Sequence, residues 1–287
     1  MSNKPPIEVP QGAIRLNTDS QKLEFFAQDR WYEMATESSS GLGNRAFRAG
    51  GGSGGNTIEY WNIATGGTGV DSGFDLSTGV HSHACAGSRT RAVQAGGRSS
   101  AGAPWAQVNN IQYFEMASLS NSIDFGDLTS AVGRHDAHSN QTRMITGGGQ
   151  AGNDLMNFIT ISSTGNATDF GNLSVGRSGT SAAGSPTRAI WAGGNYYTPS
   201  ETSTNRIDYA TIATTGNVTD FGDALAARYG SGKFSSPTRC GFTGGYTPTT
   251  FIQQIDINVR SDSTKFGDLT ATGTYNGGHS DVHGGIV

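Results

Sequence analysis

The sequence predicts an all-β fold of repeated four-stranded antiparallel sheets, the blades of a β-propeller, and three observations carry that prediction. First, a short apolar run opened by Arg and closed by a diglycine recurs from Arg45, Arg91, Arg143, Arg188 and Arg239, at intervals of 46, 52, 45 and 51 residues. A period near 50 marks a propeller or another repeat architecture. Second, each diglycine is followed by an alternating run and then by turn residues and a Phe/Leu element, as in Ile207/Tyr209, Thr215-Gly216-Asn217 and Phe221/Leu225. That order reads as a hairpin. Third, Gly is 43 of 287 residues and charged residues are 15%, against usual shares of ~7% and ~25%. Turn-dense β structure accounts for both, and no segment with a 3.6-residue period predicts a helix.

Residues 1–11 form a Pro-containing arm without periodicity, expected to be extended. In 12–40, Ile14-Arg15-Leu16, Leu23 to Phe26 and Trp31 to Met34 are β runs separated by turn residues. Residues 41–270 hold five repeats. Each repeat places the Arg run on a second strand, pairs such as Ile111/Tyr113 or Ile159/Ile161 on a third, and Asp-Phe-Gly on a fourth. The Gly-, Ser- and Ala-rich stretch before each Arg becomes the innermost strand, where blades crowd the axis. Residues 271–287 repeat the start of that stretch, so the two chain ends are expected to build a sixth blade together and remove an open sheet edge. Five blades with an appended N-terminal hairpin is the alternative. Cys85 and Cys240 fall on different strands three repeats apart and are expected to be free thiols, as in a reducing cytoplasm.

The diglycine repeats resemble those of kelch-type propellers, with Phe-Gly-Asp-Leu in place of the family's Trp except at Trp31. The stretch PQGAIRLNTDSQKLEFFAQDRWYEM looks like a segment near the start of tailed-phage fibre and other virion proteins. The repeats at Thr164 to Leu173 and Thr215 to Leu225 look like those of marine phage structural proteins. This second resemblance implies a virion component: a tail fibre, a tail adhesin or a capsid-surface decoration protein.

Candidate chemistry is sparse. His81, His83, His135 and His138, with His279 and His283, are expected near innermost strands, and His83 and His135 each lie eight residues before an Arg of the repeat. Such a channel cluster can titrate or hold a transition metal. Some kelch-type propellers are copper-radical oxidases, but the required ligand set does not assemble here. No metal, cofactor or catalytic residue is therefore assigned, and the protein is read as a non-enzyme. Asp-Phe-Gly copies, such as Asp124 with Asp127, are read as turn elements; a calcium site there is the alternative. No Ser-His-Asp or dinucleotide pattern is present.

Net charge of −4 without a Lys/Arg cluster argues against nucleic acid, and no apolar run is long enough to span a membrane as a helix. No secretory leader is expected at the written N-terminus. The long loops after the diglycines carry Trp105, Tyr196, Tyr197 and Tyr246, and Arg134, Arg177 and Arg228 are expected on the same face. Aromatic rings on loops of a rigid scaffold suit glycan stacking or protein contacts. The sequence thus favours a virion protein that docks on other virion proteins through residues 1–11 and turns its loop face to a host glycan or receptor, with symmetric copies adding avidity. A glycan-acting or galactose-oxidase-like enzyme is the competing class.

Overall fold

The computed structural model describes residues 9–17, 22–28, 30–33, 45–52, 55–62, 66–99, 105–197, 200–246 and 250–273. The chain divides into two compact units, 1–40 and 41–287. In the first, β1 (Ile14–Asn17), β2 (Lys22–Ala27) and β3 (Arg30–Glu33) form an antiparallel meander. Ile14 faces Phe25 and Leu16 faces Leu23 across β1 and β2, so one face of the meander is apolar. Residues 1–8 of the expected arm lie outside the described residues.

The second unit is a succession of antiparallel sheets, one per repeat. The first blade comprises β4 (Arg45–Gly51), β5 (Gly55–Asn62) and β6 (Val70–Asp75), followed by the two-residue β7 (Val80–His81). The second contains β8 (Ala84–Gly87), β9 (Arg91–Ala95), β12 (Asn110–Glu115) and β13 (Ile123–Asp127), with β10 (Arg98–Ser99) and β11 (Ala106–Gln107) in its long loop. The third is a simple meander of β14 (Asp136–Ser139), β15 (Arg143–Gly147), β16 (Leu155–Thr160) and β17 (Thr168–Asn172). The fourth has β18 (Ser181–Gly184), β19 (Arg188–Ala192), β22 (Arg206–Thr211) and β23 (Thr219–Asp223). Its loop forms the hairpin β20 (Asn195–Tyr197) and β21 (Glu201–Ser203). The fifth is β24 (Gly232–Ser235), β25 (Arg239–Thr243), β26 (Phe251–Asp256) and β27 (Thr264–Asp268). No helix occurs among the described residues.

Blades pack face to face, so both faces of a central strand are buried. Alternation alone therefore accounts for only half of β22. Ile207 is buried as expected, but so are Asp208 and Ala210, and Tyr209 is half-buried. Apolar clusters fill the seams. One joins Val93, Ile111 and Phe125 of the second blade to Met144 and Ile159 of the third; another joins Ile145 and Phe170 of the third to Ala189 and Trp191 of the fourth.

Four polar devices recur at these seams. Arg91, Arg143 and Arg188 lie over Tyr113, Phe158 and Tyr209 of their own blades and donate to Ile161 O, Ile212 O and Ile257 O of the next. The turn of each following blade caps the strand before it: the N–H groups of Asp75, Asp127, Asn172 and Asp223 donate to side-chain oxygens of Asn121, Asn166, Asn217 and Asp262. A polar residue at the bulge of the third strand pins the preceding loop. Gln112 accepts from Thr78 N, Asn157 from Thr129 N, Asp208 from Ser174 N and Gln253 from Leu225 N. Finally, the second Gly of each of the last four diglycines donates into the next repeat: Gly97 to Val132, Gly149 to Arg177, Gly194 to Arg228 and Gly245 to Gly273. The last bond matters for closure. Gly273 stands four residues after Leu269, as Val132 and Arg177 stand four after Leu128 and Leu173, so the chain beyond β27 enters a sixth repeat in register. Residues 274–287, half of the expected closing blade, lie outside the described residues.

The Asp-Phe-Gly elements owe their glycine to this packing. A Cβ on Gly171 would lie 2.3 Å from Gly216 O, and one on Gly126 2.5 Å from Gly165 O, too close for any side chain. Asp169 accepts from Gly171 N, the turn role expected from sequence.

Candidate functional site

The connections that enter the innermost strands meet in a chain of backbone hydrogen bonds around the loop face. Arg134 N donates to Ser82 O at 2.8 Å, Gly179 N to Arg134 O at 2.7 Å, and Gly230 N to Gly179 O at 2.8 Å. All four residues occupy the left-handed region, at φ +53° for Ser82, +59° for Arg134, +65° for Gly179 and +62° for Gly230. Glycine adopts that conformation at no steric cost, whereas an L side chain there costs roughly 1–2 kcal/mol. Two copies thus carry no side chain at the mouth, and Ser82 and Arg134 carry one despite the strain.

This register corrects the sequence reading of the three arginines. Arg134 lies nine residues before Arg143, whereas Arg177 and Arg228 lie eleven before Arg188 and Arg239. Their counterpart in the third blade is Val132, which makes the same bond to a diglycine. Arg177 and Arg228 are buried beneath the loops instead of lining their face. Arg177 forms an ion pair of 2.8 Å with Asp208, both fully buried, and donates to Trp191 O. Arg228 donates to Gly244 O at 2.8 Å and lies 4.0 Å from the centre of the Phe251 ring, but its Nε and Nη2 have no hydrogen-bond partner among the described residues. Burial alone pushes its pKa down to about 10. Sequence reading misses Asp208, because an acidic residue inside an alternating strand looks solvent-facing.

The histidines divide. His81 ends β7, which pairs with β10 (Arg98↔His81), and its ring meets Trp105 edge-on at 4.8 Å. Partial burial, then Arg98 and Arg134, lower its pKa. His83 and His135 hold the matching places expected of them, each immediately before an innermost strand, and interact electrostatically. They are embedded next to diglycines: a Cβ on Gly97 would meet His83 Cβ, and one on Gly96 would meet the His135 ring. Burial pushes His83 down to about 4 and, with the neighbouring His83, His135 down to about 3. His138 faces the next seam within β14, where its Nε2 lies 3.0 Å from Ser185 O. No three His, Cys, Asp or Glu residues gather as a metal-ligand group among the described residues. Cys85 on β8 and Cys240 on β25 are separate free thiols. Near the axis, Lys233 of the fifth blade closes an ion pair with Asp136 of the third, and Asp136 also accepts from Ala182 N of the fourth at 2.7 Å. Sequence reading misses this tie as well, since its members are 97 residues apart.

Of the expected loop aromatics, Trp105 is 38% exposed and Tyr246 56% exposed. Trp105 is itself left-handed at φ +56°, and Arg98 Nε donates to its carbonyl. Tyr246 stacks on Tyr229 at 4.7 Å. Tyr196 is half-buried on β20, and the Tyr197 side chain lies outside the described residues. Glu201, across that hairpin, reaches Arg134 at 3.6 Å. The structure thus joins Trp105, His81, Arg98, Arg134 and the β20–β21 hairpin into one patch. The opposite ends of the strands carry a cleft of about 400 Å³ lined by Phe125, Phe158, Ser163, Thr164 and Asn166; these include the residues of the second seam.

Neither a family model nor a curated protein matches the sequence. Among solved structures, the chain superimposes on YjhT, a kelch-type β-propeller, with a TM-score of 0.68 and 12% identity over 82% of this chain and 84% of that one. The fold is a kelch-like β-propeller. At that identity the likeness concerns architecture alone, and function has to be argued from the site.

Proposed function

We propose that the protein is a non-enzymatic structural component of a tailed-phage virion, a fibre or adhesin-type subunit that presents its propeller to a host-surface glycan or receptor. The observation that carries this reading is the asymmetry of the loop face: Trp105, partly exposed on a left-handed backbone, packs against His81, on which the charge of a strained Arg134 acts, whereas the positions of Arg134 in the fourth and fifth blades are bare glycine. Side chains kept on a surface at a conformational cost suit recognition. The phage-like repeats and N-terminal segment supply the virion context, with residues 1–11 docking on another virion protein.

The test uses whole particles. Removing residues 1–11 is expected to abolish incorporation while the purified protein keeps its melting temperature. Replacing Trp105, Tyr196 and Tyr197 together by Ala is expected to leave incorporation intact and reduce adsorption to host cells at least tenfold. Normal assembly without the arm would sink the docking half of the proposal, and unchanged adsorption would sink the recognition half.

A further inference from the structure

The patch around Arg134 has a chemistry more specific than exposed aromatic surface. The loops of the second and fourth blades carry the extra strands β10–β11 and β20–β21, while the equivalent loop of the third blade, between β15 and β16, carries none. Arg134 is tied to both sides: its side chain reaches Glu201 of the second hairpin, and its charge acts on His81, which packs against Trp105 of the first. Arg98 brings a second guanidinium, whose Nε donates to the Trp105 carbonyl. Two permanent cations face one carboxylate, and the Arg134–Glu201 contact is long and half-exposed, with little net energy. The patch therefore keeps surplus positive charge on a protein of net charge −4.

We infer that this patch binds an acidic polysaccharide, with Arg134 and Arg98 taking the anionic group and the exposed Trp105 ring stacking on the adjoining sugar. The inference rests on the recognition half of the proposed function and names its ligand class. A planar guanidinium grips carboxylate or sulfate oxygens in pairs, and an indole offers a rigid apolar face at small entropic cost. Fixing Arg134 in a left-handed backbone holds its side chain where the flanking loops converge, which limits the ordering that binding would otherwise require.

The internal repeats provide an informative variant. Gly179 and Gly230 fill the Arg134 position in two other blades, so Arg134→Gly removes the guanidinium while relieving strain. Binding of the purified full chain would be measured by calorimetry with oligogalacturonate, dextran sulfate, neutral maltooligosaccharide and single-stranded DNA. Salt-sensitive binding of oligogalacturonate assigns a carboxylate ligand and that of dextran sulfate a sulfate ligand; either outcome supports the inference. Arg134→Gly and Trp105→Ala are each expected to weaken that binding at least tenfold, with the melting temperature of Arg134→Gly unchanged or higher. Arg260→Ala, at an exposed turn elsewhere, is expected to change nothing. The inference is overturned by failure of both acidic probes, by equal binding of the neutral sugar or the DNA, or by full binding in Arg134→Gly. If both acidic probes fail while adsorption still depends on Trp105, only the ligand class falls and the attachment reading stands.

Discussion

The seam between the third and fourth blades and the outward face of the fifth use the same sequence elements with opposite results. Phe170 is 2% exposed and Phe221, one seam later, 3%, each covered by the following blade; Phe266, in the same element of the fifth blade, is 58% exposed. Gly171 is pressed against a neighbouring carbonyl, whereas a Cβ on Gly267 would meet nothing within 4 Å. Arg143 and Arg188 reach the next blade, but no described residue receives Arg239. The residues are nearly identical, so the partner decides. A blade motif specifies half of an interface, and its burial depends on the half that the next blade supplies.

The largest expected effect tests whether a sixth blade covers the fifth. Gly245 donates to Gly273 as earlier diglycines donate to Val132, Arg177 and Arg228, so a sixth repeat is begun. Phe221→Ala empties a packed seam and is expected to cost ~3–5 kcal/mol. If residues 274–287 help to complete a blade, deleting 278–287 should lower the melting temperature by roughly 10 °C, on a scale of ~2–4 °C per kcal/mol for chains of this size. Phe266→Ala should then be costly in the full chain and nearly neutral in the deletion. A melting curve indifferent to the deletion, with Phe266→Ala silent in both backgrounds, would leave five blades.

Most of this architecture is legible in the sequence, because period, diglycine and turn residues are local signals that repeat five times. The parts that escape are set between repeats. Asn166 and Asn217 read as turn residues and prove also to cap the preceding blade, and Asp208 reads as solvent-facing and proves to be the counter-charge of Arg177. Trp105 is found because a large ring in a Gly/Ser loop stands out. Its joining with His81 and Arg134 depends on left-handed turns that sequence marks only in the copies where glycine fills them. The false grouping of Arg134 with Arg177 and Arg228 has the same origin: residue type matches, and a two-residue shift in register is hidden.

The second prediction concerns acid, and it separates the early seams from the late ones. His83 and His135 sit where the later blades have Thr180 and Ser231. In the unfolded chain each titrates near 6.5, and in the folded protein at about 4 and about 3. Their neutral forms are therefore compatible with the fold above pH 6.5. As pH falls below that value the unfolded chain binds protons that the folded protein refuses, and stability is lost progressively toward pH 3. At pH 5, still above both folded values, the loss from His135 is roughly 2 kcal/mol, at about 1.4 kcal/mol per pH unit, and that from His83 is nearly the same. Chemical denaturation between pH 7 and pH 5 should show it, and His135→Gln should reduce the slope. Hydrogen exchange at pH 5 should rise first beside Ala95 and Gly96, ahead of the later seams; uniform protection would remove the histidines from the account.

The smallest expected effect is the stability gained by Gln253→Asp, and it follows from two arginines in equivalent positions. Arg177 has Asp208 as counter-charge, but at the matching place on β26 the sequence has Gln253, and Arg228 is left with a backbone carbonyl and an aromatic face. Breaking the complete pair by Asp208→Asn should cost ~3–5 kcal/mol, since it strands a buried guanidinium. The reverse change, Gln253→Asp, recreates the fourth-blade arrangement in the fifth. Gln253 already accepts from Leu225 N and Ser263 Oγ; a carboxylate retains acceptor capacity for such donors and adds charge opposite Arg228, while introducing its own desolvation cost. Because the cation is buried in either case, the net gain should be ~1–2 kcal/mol, seen as a rise of a few degrees in melting temperature that disappears when Arg228 is also replaced by Val, the residue at positions 80 and 132. A destabilised Gln253→Asp protein would show that desolvation outweighs pairing there, and that the two arginines are not held in equivalent surroundings.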